Sequence, residues 1–224
     1  FAGLAAVAPQ RPELAAIELE RAVSTLGLKG ALINSHTHGE YLDDKKYWPI
    51  LEAAEALKVP IYLHPRTPAP SMVTPYLDYG LFFAGWGFAV ETSLHSLRLI
   101  MGGVFDQFPD LKIILGHMGE GIPFYLQRID NRYLLQIKIG AVKEMEKLPS
   151  EYFKDNFVIT TSGVAQQSSL QLSLEELGAD RILYAADYPY ESVDESVQFL
   201  DAALMSDEDK HKIYHGNAER LFSL

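Results

Sequence analysis

Ile113-Ile114-Leu115-Gly116-His117-Met118-Gly119-Glu120 is the stretch of sequence that decides the fold. It begins with an uninterrupted apolar run, which is typical of a strand buried on both faces of a parallel sheet. A histidine and a carboxylate follow at once. Side chains at the carboxyl ends of parallel strands converge on one edge of the sheet, where ligands bind. The stretch therefore predicts a parallel strand that delivers His117 and Glu120 to a functional site.

Two further segments show the same pattern. Ile61-Tyr62-Leu63 leads into His64, and Ile182-Leu183-Tyr184-Ala185-Ala186 leads into Asp187. A single histidine after an apolar strand is usually structural, but three ionisable residues at strand ends are hard to explain in that way. Imidazole nitrogen and carboxylate oxygen suit a divalent ion such as zinc, manganese or iron. The sequence thus predicts a metal site near these residues.

Apolar runs alternate with amphipathic segments along the whole chain. The expected strands span residues 1–7, 30–34, 61–64, 113–117, 157–161 and 182–186. The expected helices span residues 12–26, 48–57, 93–104, 123–137, 168–177, 193–204 and 207–222. This alternation predicts an α/β fold with a parallel sheet. Because no linker or short repeat interrupts it, we expect a single domain over residues 1–224.

Six strand–helix units leave two architectures open. One is an open, doubly wound sheet. The other is a TIM-like (β/α)8 barrel, which needs eight units and typically about 250 residues. The motifs at the strand ends favour the barrel, with its first two strand–helix units missing from this chain. Residues 1–224 would then cover about strands three to eight.

The connection from Pro65 to Asp110 is longer than a loop and one helix require. It is rich in aromatic residues, namely Tyr76, Tyr79, Phe82, Phe83, Trp86 and Phe88. In a barrel such an insertion lies on the face where substrates bind. We interpret it as a lid or pocket wall. The alternatives are an additional packing layer and a subunit contact.

Charge and composition limit the partners. The net charge of −11 and a pI near 5.0 disfavour nucleic acid and anionic membranes as partners. They do not exclude an anionic substrate, because a bound cation can reverse the local field. The chain has no cysteine, which fits a reducing compartment, and we expect a cytoplasmic protein. No apolar run is long enough for a membrane span, and the apolar start lacks the basic region of a signal peptide.

Several motifs together resemble one known family. They are Ala31–Thr37, Tyr62–Arg66, Gly116–Gly121 with Arg128-Ile129-Asp130, Ala186–Glu191 and the closing Gly216–Phe222. This combination is similar to the amidohydrolase-2 family, which includes γ-resorcylate, 5-carboxyvanillate and aminocarboxymuconate-semialdehyde decarboxylases. The resemblance extends from the family's third strand to its C-terminus. The family's Glu-x-His on strand one has no counterpart in this sequence.

The resemblance implies a metal-dependent, nonoxidative decarboxylase of a hydroxylated aromatic carboxylic acid, with one zinc or manganese ion. It implies that His64 and Asp187 are metal ligands, with His117 at or near the metal. Asp187, His117 and Glu120 would then be the catalytic residues. Arg128 and Asn34 are implied to face the substrate. The alternatives are that Glu120 only caps the following helix and that Arg128 forms a surface ion pair.

His36-Thr37-His38 has the His-x-His spacing of metal ligands in the wider amidohydrolase superfamily. There the motif lies on the first strand, whereas here it follows what we number strand four. We therefore expect His36 to face the substrate or to donate a hydrogen bond. Tyr190, close after Asp187, is expected to form a wall of an aromatic pocket.

Two other functions stay open at this point. The same ligands could activate water in an amidohydrolase or lactonase that cleaves a cyclic ester or amide. A non-catalytic barrel kept for assembly is the third possibility. In either enzymatic case the partner is a small aromatic or cyclic carboxylate substrate. The family further implies a homo-oligomer, either a dimer or a tetramer.

Overall fold

The computed structural model describes residues 2–224, and its strands form one parallel sheet. The strands are β1 (Ala5–Ala6), β2 (Ala31–Asn34), β3 (Ile61–His64), β4 (Ile113–Leu115), β5 (Phe157–Thr160) and β6 (Ile182–Leu183). Each strand pairs in parallel with the next one along the chain. A doubly wound sheet would reverse this order at a switch point. The sequential order is that of a (β/α)-barrel wall, so the predicted fold class is confirmed.

Helices connect the strands and cover the outside of the sheet. They are α1 (Pro12–Ser24), α2 (Trp48–Ala56), α3 (Gly87–Met101), α4 (Val104–Gln107), α5 (His117–Glu120), α6 (Ile122–Lys138), α7 (Pro149–Asn156), α8 (Gln167–Leu177), α9 (Val193–Ala202), α10 (Asp207–His211) and α11 (Asn217–Phe222). No helix in residues 2–224 is both long and apolar enough to cross a membrane.

The two faces of the sheet form separate apolar clusters, because successive side chains of a strand point in opposite directions. The larger cluster joins the helices to outward-facing strand residues, including Ile61, Leu63, Ile113, Leu115 and Ile159. The inward-facing residues Ile114, Val158 and Leu183 form the smaller cluster, against which Tyr62 and Phe222 pack. Burial of each such aliphatic side chain stabilises the fold by about 1.5–3 kcal/mol. Both faces are therefore apolar, as the continuous hydrophobic runs predicted.

The predicted strand ends need a correction. His64 is the last residue of β3 and lies in register with Asn34 of β2. By contrast, β4 ends at Leu115 and β6 at Leu183, so His117 and Asp187 lie in the connections that follow. Their φ angles of 50° and 69° are incompatible with an extended strand. The apolar runs had predicted strands that were too long at both positions.

Some helix boundaries also differ from the prediction. The helix expected over residues 207–222 is divided by a wide turn at Lys212–Gly216. The helix expected to begin at residue 93 begins earlier, at Gly87. Helix α7 was not predicted, because eight residues with mixed polarity give little periodic signal. Of the first predicted strand, Ala5–Ala6 is a strand, and Phe1 lies outside the described residues.

Candidate active site

The segment labelled α5, which follows β4 and carries two of the predicted catalytic residues, is a left-handed turn and not a right-handed helix. Five consecutive residues, His117 to Gly121, have φ angles of 50°, 53°, 76°, 53° and 77°. Residues other than glycine rarely adopt this backbone conformation, and it destabilises the fold by about 1–3 kcal/mol for each of them. Strain of this kind persists only where the surrounding structure imposes it. The turn brings His117 and Glu120 to the same side of the chain.

His117 lies between two carboxylates. Its Nδ1 is 2.6 Å from Oε1 of Glu120, and its Nε2 is 3.7 Å from Oδ2 of Asp187. Burial acts to lower the pKa of His117, but its hydrogen bond to Glu120 and the charges of both carboxylates outweigh burial and raise the pKa. The protonated ring is therefore more stable than that of a free histidine. Such a group can hold a proton at Nε2, beside Asp187, and release it there.

A cluster of hydroxyl groups supports His117 from behind. The backbone N–H of His117 donates to Oγ of Ser162 at 3.2 Å, and this oxygen is 2.7 Å from Oγ1 of Thr160. Gly163 has a φ of 65°, and a Cβ atom there would lie 3.2 Å from Cδ2 of His117. A side chain at this position would crowd the imidazole and would require a left-handed backbone, so both features favour glycine. They also fix the start of the left-handed turn.

Sequence reasoning missed this supporting group. Thr160-Thr161-Ser162-Gly163 follows the apolar run of β5 in the same way that His117 follows β4. The signal was therefore present, but the pattern that predicted the site was one of ionisable residues after strands, and it does not include hydroxyl groups. Tyr62 belongs to the same environment. Burial raises the pKa of its phenol, while hydrogen bonds with Thr160 and Ser162 act in the opposite direction.

His64 presents one free ring nitrogen. Its Nδ1 is 2.8 Å from the carbonyl oxygen of Pro65, and since a carbonyl only accepts, Nδ1 carries the proton. The Nε2 lone pair is then available to a metal ion. Together with the carboxylate of Asp187, it has the donor chemistry that zinc or manganese requires. Within residues 2–224, no group of three or more histidine or carboxylate side chains is arranged to hold a metal by itself.

His36 is buried, and both of its ring nitrogens bind the backbone. Nδ1 accepts from the N–H of Gly39 at 3.0 Å, and Nε2 donates to the carbonyl of Thr67 at 3.2 Å. The predicted hydrogen-bonding role fits this geometry. In this conformation neither nitrogen is free for a substrate, so a direct substrate contact by His36 stays a prediction. Asn34 is exposed at the end of β2, beside His64.

A cleft of about 700 Å³ opens beside Glu120, between α3 and α6. Its lining includes Trp86, Val90, Glu120, Tyr125, Arg128, Ile129 and Arg132. Arg128 and Glu120 thus line the same cleft, but His64, His117 and Asp187 do not, so a substrate contact by Arg128 stays a prediction. Trp86 is the member of the aromatic insertion that lines this cleft in the described structure. Tyr190 is 87% exposed, so a wall position for it is not formed in this conformation.

Comparison with known proteins relates this geometry to characterised enzymes. The curated gamma-resorcylate decarboxylase of Polaromonas sp. is 43% identical over 236 residues, which cover 100% of this chain and 71% of the relative. The crystal structure of 5-carboxyvanillate decarboxylase from Sphingomonas paucimobilis matches with a TM-score of 0.98 and 44% identity, over 100% of this chain and 67% of that one. The chain thus spans about 70% of the length of these relatives.

A third comparison concerns a metal-bound structure. Dihydroxybenzoic acid decarboxylase from Polaromonas sp. was solved with manganese and the inhibitor 2-nitroresorcinol. It matches with a TM-score of 0.92 and 42% identity, covering 100% of this chain and 69% of that one. The sequence model described as Amidohydrolase (Amidohydro_2) matches residues 1–224. The chain therefore belongs to the amidohydrolase family, as the motifs at its strand ends predicted.

Proposed function

We propose that the protein is a metal-dependent, nonoxidative decarboxylase that releases carbon dioxide from a hydroxylated aromatic carboxylic acid. The observation that carries the proposal is the placement of His117 between Glu120 and Asp187 at the C-terminal edge of the sheet. Family membership supports it, as do the relatives of 43% and 44% identity named as decarboxylases of such acids.

The chemistry needs a proton donor beside an electron-rich ring. The ring carbon that carries the carboxylate gains a proton, and the bond to carbon dioxide then breaks with its electron pair restoring the aromatic ring. Asp187 is the proposed donor to carbon. His117 can exchange a proton with that carboxyl group through Nε2, which lies 3.7 Å from Asp187, when this nitrogen is not bound to the ion. Glu120 orients the imidazole through Nδ1.

We propose one divalent ion, manganese or zinc, as the cofactor, with His64, Asp187 and His117 as its ligands from this chain. Since the described residues contain no preformed site of three such side chains, these ligands would have to move closer together around the ion. When bound, such an ion would supply Lewis-acid stabilisation of negative charge on the substrate's oxygens. The free Nε2 of His64 supports this assignment. We assign substrate contacts to Arg128, Asn34, His36 and Tyr190. Arg128 would supply a fixed cation for a carboxylate.

We also propose that residues 1–224 form a single barrel domain that assembles into a dimer or tetramer. The support is an apolar surface on and beside α6. Phe124 is 71% exposed, Tyr125 51% and Ile139 68%. Exposed patches of this kind often mark subunit contacts. Light scattering of the purified protein tests the assembly. The acidic charge disfavours nucleic acid and membrane partners, and the lack of cysteine fits the cytoplasm.

The decisive experiment compares two substrate panels on the purified protein with added manganese or zinc. We expect the wild-type protein to release carbon dioxide from at least one hydroxybenzoate, and the His117→Asn variant to release none from the same panel. The second candidate function, hydrolysis of a lactone or amide, is favoured by the same metal ligands because they can activate water. Acid release from a lactone panel, with no carbon dioxide from any hydroxybenzoate, would establish the hydrolase instead.

A further inference from the structure

We propose that a buried network centred on Glu91 is a positioning device for the active site. It holds the loops after β2 and β3, which carry the substrate-facing and metal-binding edge. The expected effect of this network on activity rests on the proposed function. Its structural claim can be tested without any substrate.

Glu91, on α3, ties together three segments of the chain. Its side chain is fully buried. Oε1 accepts from the hydroxyl of Ser35 at 3.1 Å, while Oε2 accepts from the hydroxyl of Tyr41 at 3.2 Å and from the N–H of Ala69 at 3.1 Å. A carboxylate is buried at this depth only when several donors satisfy it. These donors come from the end of β2, the loop that follows it and the loop after β3.

His95, one turn further along α3, completes the network. Its Nε2 accepts from the N–H of Leu42 at 3.0 Å, so the ring proton lies on Nδ1 and is donated to Oγ of Ser35 at 3.1 Å. Burial lowers the pKa of His95 to about 3, which keeps the ring neutral. The direction of these bonds excludes a nucleophilic serine. The imidazole donates to Ser35 instead of accepting its proton, and Ser35 is buried.

The network reaches the active site through the backbone. Ser35 lies between Asn34 and His36, and its N–H donates to the carbonyl of His64 at 2.9 Å. Ser35 has a φ of 32°, a conformation that its surroundings must impose. Loss of the Glu91 contacts would therefore displace Asn34 and His64 together. The His117 turn makes no contact with Glu91 among these hydrogen bonds and should stay in place.

The two loops also bind each other. Glu91 is a residue of α3 that accepts hydrogen bonds from both of them. Arg66 donates from its guanidinium to the carbonyl of His36 at 2.9 Å, and His36 donates to the carbonyl of Thr67. Ala69, which donates to Glu91, belongs to the same loop as Arg66 and Thr67. Removal of Glu91 thus loosens both loops, while His95 still contacts Ser35 and Leu42. Misplacement of reacting groups by about 1 Å can reduce a rate by about 100-fold.

The test compares Glu91→Ala and Glu91→Gln with a matched control, Asn156→Ala. Asn156 is also buried and donates to two backbone carbonyls, those of Pro109 and Leu111, but it lies outside the network. Amide hydrogen exchange is measured by mass spectrometry on the full chain. In Glu91→Ala we expect faster exchange in peptides covering residues 31–42 and 61–72, with no change over residues 113–121. Asn156→Ala should leave residues 31–42 and 61–72 protected.

Activity is the second readout. We expect kcat/KM of Glu91→Ala to fall by about 10- to 100-fold when variants are compared at equal folded fraction. Glu91→Gln should recover most of the lost kcat/KM, because glutamine keeps the shape of the side chain and two of the acceptor contacts. Ser35→Ala replaces Glu91→Ala if that variant does not fold. Unchanged exchange in the two loops, or equal exchange changes in Asn156→Ala, would overturn the proposal. Loop exchange that changes as expected in a protein without decarboxylase activity would refute the proposed function alone.

Discussion

At the residue scale, the balance of forces on His117 predicts how its proton responds to Glu120. Burial disfavours the charged ring, and the two carboxylates more than compensate, so the pKa of His117 is raised. In Glu120→Gln one of these charges is lost while an acceptor for Nδ1 is kept. We expect the pKa of His117 to fall. The measurement is an NMR titration of His117 in metal-free protein, and an unchanged titration would contradict the assigned role of Glu120.

Ser162 gives a second prediction at this scale. Its Oγ accepts the N–H of His117, so Ser162→Ala leaves that part-buried donor without its partner. We expect a loss of about 1–3 kcal/mol in the free energy of unfolding, and a lower kcat with little change in KM. Ser96→Ala is the matched control, because Ser96 is also buried and donates to the carbonyl of Thr92 within α3. A similar fall in kcat for both variants would argue against a positioning role for Ser162.

A site residue could be predicted from the sequence when it directly follows an apolar run. His64, His117 and Asp187 follow apolar runs directly, so a local pattern was enough to bring them to one edge of the sheet. Glu91 had no such signal, because its partner Ser35 is 56 positions away and α3 separates it from any strand end. A buried carboxylate on a helix looks like a surface charge until the packing around it is known.

At the scale of an element, the left-handed turn after β4 depends on its glycines in different ways. Gly119 has a φ of 76°, and a Cβ there would lie 3.0 Å from Cδ of Pro123 and 3.1 Å from Cγ2 of Ile159. Gly121 has a φ of 77°, but a Cβ there would meet nothing within 4 Å. Both replacements by alanine carry the backbone cost of about 1 kcal/mol. Only Gly119→Ala adds a steric cost.

We therefore expect Gly119→Ala to be the less stable of the two variants, by about 1–3 kcal/mol, because side chains around a close-packed turn cannot all give way. Urea unfolding of both proteins measures the difference. Equal free energies of unfolding would mean that the turn relaxes without resistance from Pro123 and Ile159, and that its conformation is not imposed by packing. The comparison separates strain in the backbone from crowding around it.

The elements themselves were predictable where one physical signal dominated. The run Ile61–His64 was predicted with its observed bounds, because Ile61-Tyr62-Leu63 is apolar and proline follows His64. The ends of β4 and β6 were not. After β4 the chain reverses at His117, whose φ is 50°, and after β6 the N–H of Tyr184 donates to the carbonyl of Ile213 and not to a neighbouring strand. That reversal is set by contacts with neighbouring strands, such as those with Ser162, and a single segment does not contain them.

At the scale of the whole molecule, the buried His95 links stability to pH. Its pKa is about 3 in the folded protein because of burial, and about 6.5 when the chain is unfolded. Between these values the unfolded state binds the additional proton, so the free energy of unfolding falls as the pH falls. The expected slope from this residue is about 1.4 kcal/mol per pH unit between about pH 5.5 and about pH 4. The charges of Arg98 and His36 lower the pKa of His95 further. Glu91 and Tyr41 are the other ionisable residues in the network around it.

Comparison with His95→Gln isolates this contribution from that of the other titrating groups. Glutamine can still accept from the N–H of Leu42 but takes up no proton, so the variant should lose about 1.4 kcal/mol less per pH unit than the wild type over the same range. His38→Gln, which removes an exposed histidine, should keep the wild-type slope. Urea unfolding at several pH values measures all three proteins. Parallel curves for wild type and His95→Gln would show that the ring is already protonated in the folded state, and the direction of the hydrogen bonds through Ser35 would then be wrong.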